Sequence, residues 1–275
     1  MAANPILARF DNAEILVSEG METATAANLE NAFAFLQRIA AAEQNGDFMG
    51  NDFWPEPDSW LARYRPYNVQ DGVLMIPVTG TLLNDYTWTD KWATGYTYIR
   101  KAFERGMGDQ YVRGIAFVIN SGGGEVSGNF DLVDMIYDAR GEKPIRAFAA
   151  EHAYSAAYSI ASAADKITVA RTGGVGSIGV VTSHVDYSQA LEKAGIKVTF
   201  IHYGKHKVDG NAYQPLSDDA KSRIQARIDA LGEVFVSTVA RNRGMDAQAI
   251  RDTEALTYTA SEATSNGLAD AIGSL

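Results

Sequence analysis

Short apolar runs alternate with segments of helical spacing along most of this sequence, from residue 72 onward. The apolar runs are bounded by glycine or polar residues and have the length of buried strands. We predict strands at Gly72–Gly80, Val112–Ile119, Ile145–Ala150, Ile167–Ala170 and Lys197–Tyr203. We predict helices at Tyr96–Phe103, Val126–Ala139, Ser155–Ala164, Tyr187–Ala194 and Ser217–Arg241. This alternation indicates an α/β fold, in which helices flank a largely parallel sheet.

The N-terminal portion has a different pattern. Residues Thr23–Glu43 are rich in alanine, leucine and glutamate, and their larger apolar residues have the spacing of an amphipathic helix. The stretch Asn45–Arg65 is polar and aromatic and contains prolines, which predicts an ordered arm or linker. This stretch either packs on the main domain or docks a partner. We therefore divide the chain into a helical arm with its linker, residues 1–65, and a main domain, residues 66–275.

Composition argues against several classes of function. A net charge of −10 argues against nucleic acid as a partner, because phosphate binding requires clustered lysine and arginine. The sequence has no cysteine, which excludes disulfides, thiol catalysis and cysteine-bound metals. No window has the roughly 20 consecutive apolar residues of a membrane helix, and the N-terminus has no secretory signal. We expect a soluble, intracellular protein without a membrane anchor.

A run of three glycines follows the predicted strand Val112–Ile119, in the stretch Asn120–Gly124. We expect this stretch to turn from a strand into a helix, because glycine permits backbone conformations that other residues avoid. Its free N–H groups could bind an anion, as in an oxyanion hole, or the run could be an ordinary tight turn. No phosphate-binding glycine motif is present.

Ser155 lies directly after the predicted strand Ile145–Ala150, at the start of a helix of small residues. A serine at this position is commonly a helix N-cap. The alternative is a nucleophile whose own turn supplies an oxyanion donor, although the GxSxG motif of α/β-hydrolases is absent. From the residues alone, both readings remain open.

Two lysines, Lys205 and Lys207, follow the predicted strand Lys197–Tyr203. Such lysines are commonly solvated, but a lysine whose pKa is lowered by burial can take a proton from a serine hydroxyl. A Ser-His-Asp triad would need one of the four histidines beside Ser155, with Asp186 or Asp209 to orient it, and no motif supports it. No histidine and carboxylate pattern typical of a metal site is present.

Four blocks in this order resemble the signal peptide peptidase A family. They are an NS-GGG block at 120–124, YSAAY at 154–158, TGGVGSIGVV at 172–181 and YGKHKVDG at 203–210. The sequence is most similar to the branch of tailed phages, the capsid-assembly or head-maturation proteases, from about Asp71 to Ile272. The resemblance implies a ClpP/crotonase-like fold with a largely parallel sheet flanked by helices.

The resemblance also implies residue roles. It makes Ser155 the nucleophile, Lys207 the general base and Ser177 the residue that orients the lysine amine. Lys205 is the alternative base, because its side chain would face the same side as that of Lys207 if the strand continued through both residues. The implied oxyanion donors are the backbone N–H groups of Gly122 or Gly123, and of Ala156.

Two positions depart from the family pattern. Many relatives have a proline where this chain has Gly122, which leaves open which glycine supplies the donor. Many also have two glycines after the nucleophile, where this chain has Ala156 and Ala157. A β-carbon there removes no N–H, so the chemistry should survive.

The function that the resemblance implies is a serine endopeptidase that cleaves scaffold or coat proteins during phage head assembly. It requires no metal and no other cofactor, and relatives assemble into rings or domes, so we expect a homo-oligomer. The location implied is the host cytoplasm and the immature virion. Three alternatives are a capsid-assembly component with weak turnover, a soluble host peptidase that degrades signal peptides, and a crotonase-like acyl-transfer enzyme.

Overall fold

A sheet of ten strands lies at the centre of the residues that the computed structural model describes, which are 15–17, 22–44 and 53–275. The strands are β1 (Ile15–Val17), β2 (Asn68–Gln70), β3 (Val73–Leu83), β4 (Ala93–Gly95), β5 (Gly114–Glu125), β6 (Ile145–Tyr154), β7 (Lys166–Val169), β8 (Gly174–Gly176), β9 (Thr257–Thr259) and β10 (Ala271–Ile272). The helices are α1 (Glu22–Gln44), α2 (Tyr96–Gly108), α3 (Asn129–Asp138), α4 (Ala156–Ser162), α5 (Ser188–Lys193), α6 (Asp218–Arg243), α7 (Ala247–Arg251) and α8 (Ala260–Ser265).

The main path of the sheet has the order β10-β7-β6-β5-β3-β2, and all of its neighbouring pairs except β2 with β3 are parallel. Strand β5 lies in the middle, where Phe117 is opposite Ile76 of β3 and Ala147 of β6. Phe117 is fully buried because helices cover the sheet, which explains why these strands are continuous apolar runs. The predicted fold class, a largely parallel sheet flanked by helices with a helical N-terminal segment, is confirmed.

Helix α1 packs on the chain that follows β3. Its apolar face contributes to a second buried cluster, separate from the core under the main sheet. That cluster consists of Leu29, Ala32, Phe35, Ile39, Leu61, Leu83, Tyr86, Trp88 and Ala93. The predicted helix Thr23–Glu43 is confirmed.

The linker stretch is described from Phe53 onward, while residues 45–52 lie outside the described ranges. Trp54 packs against the main core, with its ring centroid 5.6 Å from that of Tyr67 and 6.4 Å from that of Tyr98. Of the two readings given for the stretch, this contact favours a packing extension.

Helix α6 begins as its sequence predicts and continues two residues beyond the predicted end at Arg241. The Ser217 side chain accepts a hydrogen bond from the N–H of Ala220, and Asp218 and Asp219 lie in the first turn, where the helix dipole favours negative charge. The helix ends at Gly244, which has a φ of 62°. None of the described helices combines the length and the apolar character needed to cross a membrane.

The predicted strand at Lys197–Tyr203 is wrong. These residues form neither strand nor helix, and the side chain of Ile201 is 98% exposed while that of Tyr203 is fully exposed. The apolar alternation predicted a strand, but these residues pair with none of the described strands. An apolar pattern forms a strand only where its backbone groups find a partner strand.

The C-terminal strand β10 is anchored by a partly buried ion pair. Asp270 accepts two hydrogen bonds of 2.9 Å from the Arg243 guanidinium and one of 2.7 Å from the N–H of Ile167. Burial alone would raise the pKa of Asp270, but the hydrogen bonds from Arg243 and Ile167 outweigh burial, so this pKa is lowered. The ionised carboxylate therefore stabilises the fold.

We predict that Asp270→Asn lowers the free energy of unfolding at neutral pH by about 2 kcal/mol, because it leaves Arg243 poorly paired. A carboxyl whose pKa is lowered by folding stabilises above its unfolded pKa and loses that effect as the pH falls through the folded value. The difference between variant and wild type should therefore shrink as the pH falls from about 5 to about 2. Urea unfolding at several pH values measures it.

The matched control is Asp134→Asn, because Asp134 pairs with Arg241 at the surface, where both side chains are at least 40% exposed. An exposed pair contributes less than about 1 kcal/mol. Equal losses in the two variants would contradict the anchoring role of Asp270.

Candidate active site

Ser155 connects β6 to α4 in a strained conformation. Its φ is 54° and its ψ is −120°, a combination that costs a non-glycine residue about 1–3 kcal/mol. Although Ser155 occupies the N-cap position of α4, its side chain makes no capping hydrogen bond. In the described part of the chain, its Oγ is buried and has no hydrogen-bond partner. The N-cap interpretation of this serine is therefore wrong.

The backbone around Ser155 is held on both sides. Its N–H donates to the carbonyl of Gly176 at 2.8 Å, at the end of β8, and its carbonyl accepts from the N–H of Ser159 at 3.0 Å, inside α4. Ser177, the next residue after Gly176, is also buried and has a φ of 55°. Its N–H donates to the carbonyl of Leu256 at 2.8 Å. The two serines are thus carried by adjacent strand ends, each in a conformation that the surrounding hydrogen bonds impose.

The position of α4 is fixed by a buried polar group at its start and a partly buried one at its end. Near its first turn, Asn129 donates to the carbonyl of Ala156 at 3.2 Å. At its last turn, the Arg140 guanidinium donates to the carbonyls of Ser162, Ala163 and Ala164 at 2.6–2.9 Å. These carbonyls have no partners within the helix, so a cation with several donors satisfies them well. Sequence reasoning missed both residues, because neither lies next to Ser155 in the chain.

The glycine run does not form the predicted turn. Strand β5 continues through it to Glu125, and α3 begins only at Asn129. Gly124 must be a glycine because a β-carbon there would collide with the carbonyl of Leu82 in β3. The strand is extended here because other strands pair with it, which the local sequence could not reveal.

Gly122 and Gly123 differ in the pairing of their backbone groups. Gly122 has no register partner in the described strands, because the pairing of β5 with β3 skips from Asn120 to Gly123. It is also more exposed than Ser121 and Gly123. The N–H of Gly123 donates to the Ser121 Oγ at 3.1 Å.

The block Tyr203–Gly210 lies on the surface. Lys207 is exposed, and its backbone N–H donates to the carbonyl of Gly204 at 3.2 Å. The Lys205 amine is 4.0 Å from a carboxylate oxygen of Asp219 in α6. Since the Ser155 Oγ has no hydrogen-bond partner, neither lysine is bonded to it within this single chain.

None of the four histidines bonds the Ser155 hydroxyl. The rings of His184 and His202 pair with backbone carbonyls at 3.0 Å, and that of His206 pairs with Asp209 at 2.9 Å. His152 stacks on Tyr154 at 5.0 Å between centroids, and its Nδ1 is buried without a partner among the described residues. The arrangement therefore contains no Ser-His-Asp triad. Across the described ranges, no three histidine or carboxylate side chains are grouped as metal ligands.

Residues 138–275 match peptidase family S49. The match spans half of the chain and includes Ser155, Ser177 and Lys207. The chain belongs to peptidase family S49. This family assignment agrees with the resemblance to signal peptide peptidase A and to phage capsid-assembly proteases, which is confirmed by the relatives.

Three relatives show which known proteins this S49 chain resembles. It is 39% identical over 208 residues to the capsid assembly protease C of Escherichia phage lambda. That alignment covers 75% of this chain and 47% of that protein. It is 37% identical over 238 residues to the head-tail preconnector protein GP5 of Enterobacteria phage P21, covering 84% of this chain and 48% of that protein. It is 30% identical over 167 residues to a putative signal peptide peptidase SppA of Enterococcus faecium, covering 60% of this chain and 48% of that protein. The chain spans about half the length of these curated relatives.

We predict that Ser155→Gly makes this S49 domain more stable than Ser155→Ala does, by about 1 kcal/mol, because glycine adopts a positive φ without strain. Both variants remove the unpartnered hydroxyl, so their difference isolates the backbone. Thermal or urea unfolding of the two variants measures it. Equal stability of the two would show that the conformation at Ser155 stores no strain.

Proposed function

We propose that this chain is a serine endopeptidase in which Ser155 is the nucleophile and Lys207 is the general base. The observation that carries the proposal is the state of Ser155: a buried hydroxyl without a partner, on a strained residue that does not cap its helix. A structural serine would satisfy its hydroxyl with a neighbour, because burying it unpaired costs free energy. Membership of a peptidase family supports the same role.

The proposed reaction uses only groups of this chain. Neutral Lys207 accepts the Ser155 proton as Oγ attacks the carbonyl carbon of a peptide bond. Lys207 then gives that proton to the leaving amine, the C–N bond breaks, and an acyl ester remains on Ser155. Water attacks the ester with Lys207 again taking a proton, which releases the new carboxyl terminus and restores the hydroxyl. Ser177 orients the lysine amine.

Backbone N–H groups on either side of Ser155 are proposed to stabilise the tetrahedral oxyanion. The N–H of Ala156 is one donor, at the start of α4. We assign the second donor to Gly122, because the N–H of Gly123 already donates to Ser121. A well-placed donor contributes about 3 kcal/mol to transition-state stabilisation.

The phage relatives support a proposal for the substrate class. One of them is named as a capsid assembly protease and another as a head-tail preconnector protein. We propose that this chain cleaves scaffold or coat proteins during head assembly, in the host cytoplasm or the immature virion. Because the chain matches only about half of each relative, other activities of those longer proteins are not transferred to it.

The exposed block that carries Lys207 must come close to Ser155 for this chemistry. The fully exposed apolar side chains of Ile201 and Tyr203 in the preceding stretch are typical of a surface that another molecule covers. We propose that the chain forms a homo-oligomer that buries this stretch and fixes the position of Lys207.

We predict that Ser155→Ala and Lys207→Ala each lower turnover by about 10³-fold or more, because each removes a member of one catalytic unit. The assay is cleavage of candidate scaffold and coat proteins by the purified chain, with circular dichroism to verify folding. Lys205→Ala is the matched control, since Lys205 is an exposed lysine two positions away and should leave turnover nearly unchanged. A loss from Lys205→Ala equal to that from Lys207→Ala would reverse the assignment of the base.

We predict that sedimentation at micromolar concentration gives a mass above that of one chain, and that Ile201→Ser lowers the fraction assembled. Tyr111→Ser is the control, because Tyr111 is 77% exposed outside this stretch. Mixing the inactive Ser155→Ala and Lys207→Ala proteins shows whether two copies share one site, since activity would then return. A strictly monomeric wild type with full turnover would refute the role of assembly.

A further inference from the structure

Strand β1 occupies a gap beside the candidate nucleophile. Residues Ile15–Val17 pair antiparallel with Gly123–Glu125 at the end of β5. On the other side, the N–H of Ile15 donates to the carbonyl of Val181 at 2.9 Å, and the N–H of Val181 donates to the carbonyl of Ile15 at 3.0 Å. This three-residue segment is therefore paired with β5 along one edge and, through Ile15, with Val181 on the other.

The gap exists because β6 ends early. Strand β6 accompanies β5 only as far as the pair Ser121 with Ala153, and its chain then passes into Ser155 and α4. Beyond that point, β5 is paired with β3 on one side, while its other side faces the stretch that contains Val181. The space between them has the width of one extended strand, and it begins next to the nucleophile.

Strand β1 runs in the direction in which a peptide substrate would approach Ser155. Because the pairing is antiparallel, β1 runs from Glu125 towards Gly123, and so towards Gly122, our proposed oxyanion donor. A substrate strand held in this gap by main-chain hydrogen bonds would run in the same track. Residues Ile15–Val17 thus lie where residues on the amino-terminal side of a scissile bond would bind.

Helix α1 lies close to the same end of β5. Its Asn28 side chain donates to the Thr81 hydroxyl at 3.2 Å, beside the end of β5. Thr25 and Asn28 also line a cavity of about 150 Å³ together with Gly122, Gly123 and His152. The helix begins only a few residues after β1, so the strand is tethered next to its binding track at high effective concentration.

We propose that β1 is an autoinhibitory strand, which a peptide substrate has to displace before it reaches Ser155. The proposal rests on the proposed peptidase function. Three paired residues form a short strand, so its displacement exposes the track without unfolding the sheet. The chain therefore carries its own competitor for the peptide track.

The first test measures binding without catalysis. A fluorescein-labelled peptide with the sequence of residues 11–20, DNAEILVSEG, is titrated into Ser155→Ala protein that carries either Ile15→Pro or Ile15→Ala. Proline removes the N–H that bonds Val181, while alanine keeps both backbone bonds. We expect fluorescence anisotropy to give an affinity about tenfold higher for the proline variant. Equal affinities would overturn the proposal.

The second test locks the strand in place. The natural chain has no cysteine, so the pair Ile15→Cys and Val181→Cys introduces the only thiols. Residues directly opposite in such a pair have Cα atoms about 5.5 Å apart, which suits a disulfide. We expect the oxidised double variant to lose cleavage of fluorescein-labelled casein and to recover it on reduction, while the single variants do not respond to oxidant.

Three further outcomes decide between the proposals. Full turnover by the locked protein, or self-cleavage of the wild type between residues 17 and 22, would overturn autoinhibition, because β1 would then be absent from the track or would itself be a substrate. Retained turnover in Ser155→Ala would instead refute the proposed nucleophile and would leave the anisotropy result standing. The failure of one proposal is thus distinguishable from the failure of the other.

Discussion

The positive φ of Ser155 is the constraint on which the rest of the site depends. A serine does not adopt this conformation unaided, so the fold has to impose it. The hydrogen bond to Gly176 fixes its amino side, and the buried helix α4, capped by Arg140, fixes its carboxyl side. The result is a hydroxyl that does not cap the helix it precedes. Strain, burial and an unused hydrogen-bonding group thus coincide on one residue, as is common at functional sites.

The sheet and most of its helices could be predicted from the sequence, because strands buried on both faces produce continuous apolar runs. The same criterion failed for Lys197–Tyr203, since a pattern of apolar residues does not show whether a neighbouring strand is available. It failed again at the glycine run, where β3 and β1 keep β5 extended. The site residues were predicted through the family resemblance. From the residues alone, Ser155 could not be told from an N-cap, because the difference is in its dihedral angles and unpaired hydroxyl.

Strand β5 brings the parts of the site together. Its apolar half forms the centre of the sheet, and its glycine half carries the proposed oxyanion donor and pairs with β1. The core that stabilises the fold and the groups proposed to act on a substrate are therefore consecutive in one strand. Lys207 is the exception, since it lies in a surface block tethered to α6 by the pairs of Asp209 with Arg223 and Asp219 with Lys205. Within a single chain, the proposed nucleophile is thus buried, whereas the proposed base is exposed at the surface.

The collision that a β-carbon at Gly124 would make with Leu82 has a consequence for selectivity. At Gly123 and Gly124, the floor of the proposed track beside Ser155 is bare main chain, which offers N–H and carbonyl groups but no side chain to distinguish one amino acid from another. Main-chain pairing of this kind accepts almost any extended sequence. Discrimination among proteins then falls to whatever controls access and delivery, such as confinement of enzyme and substrate in the same small compartment.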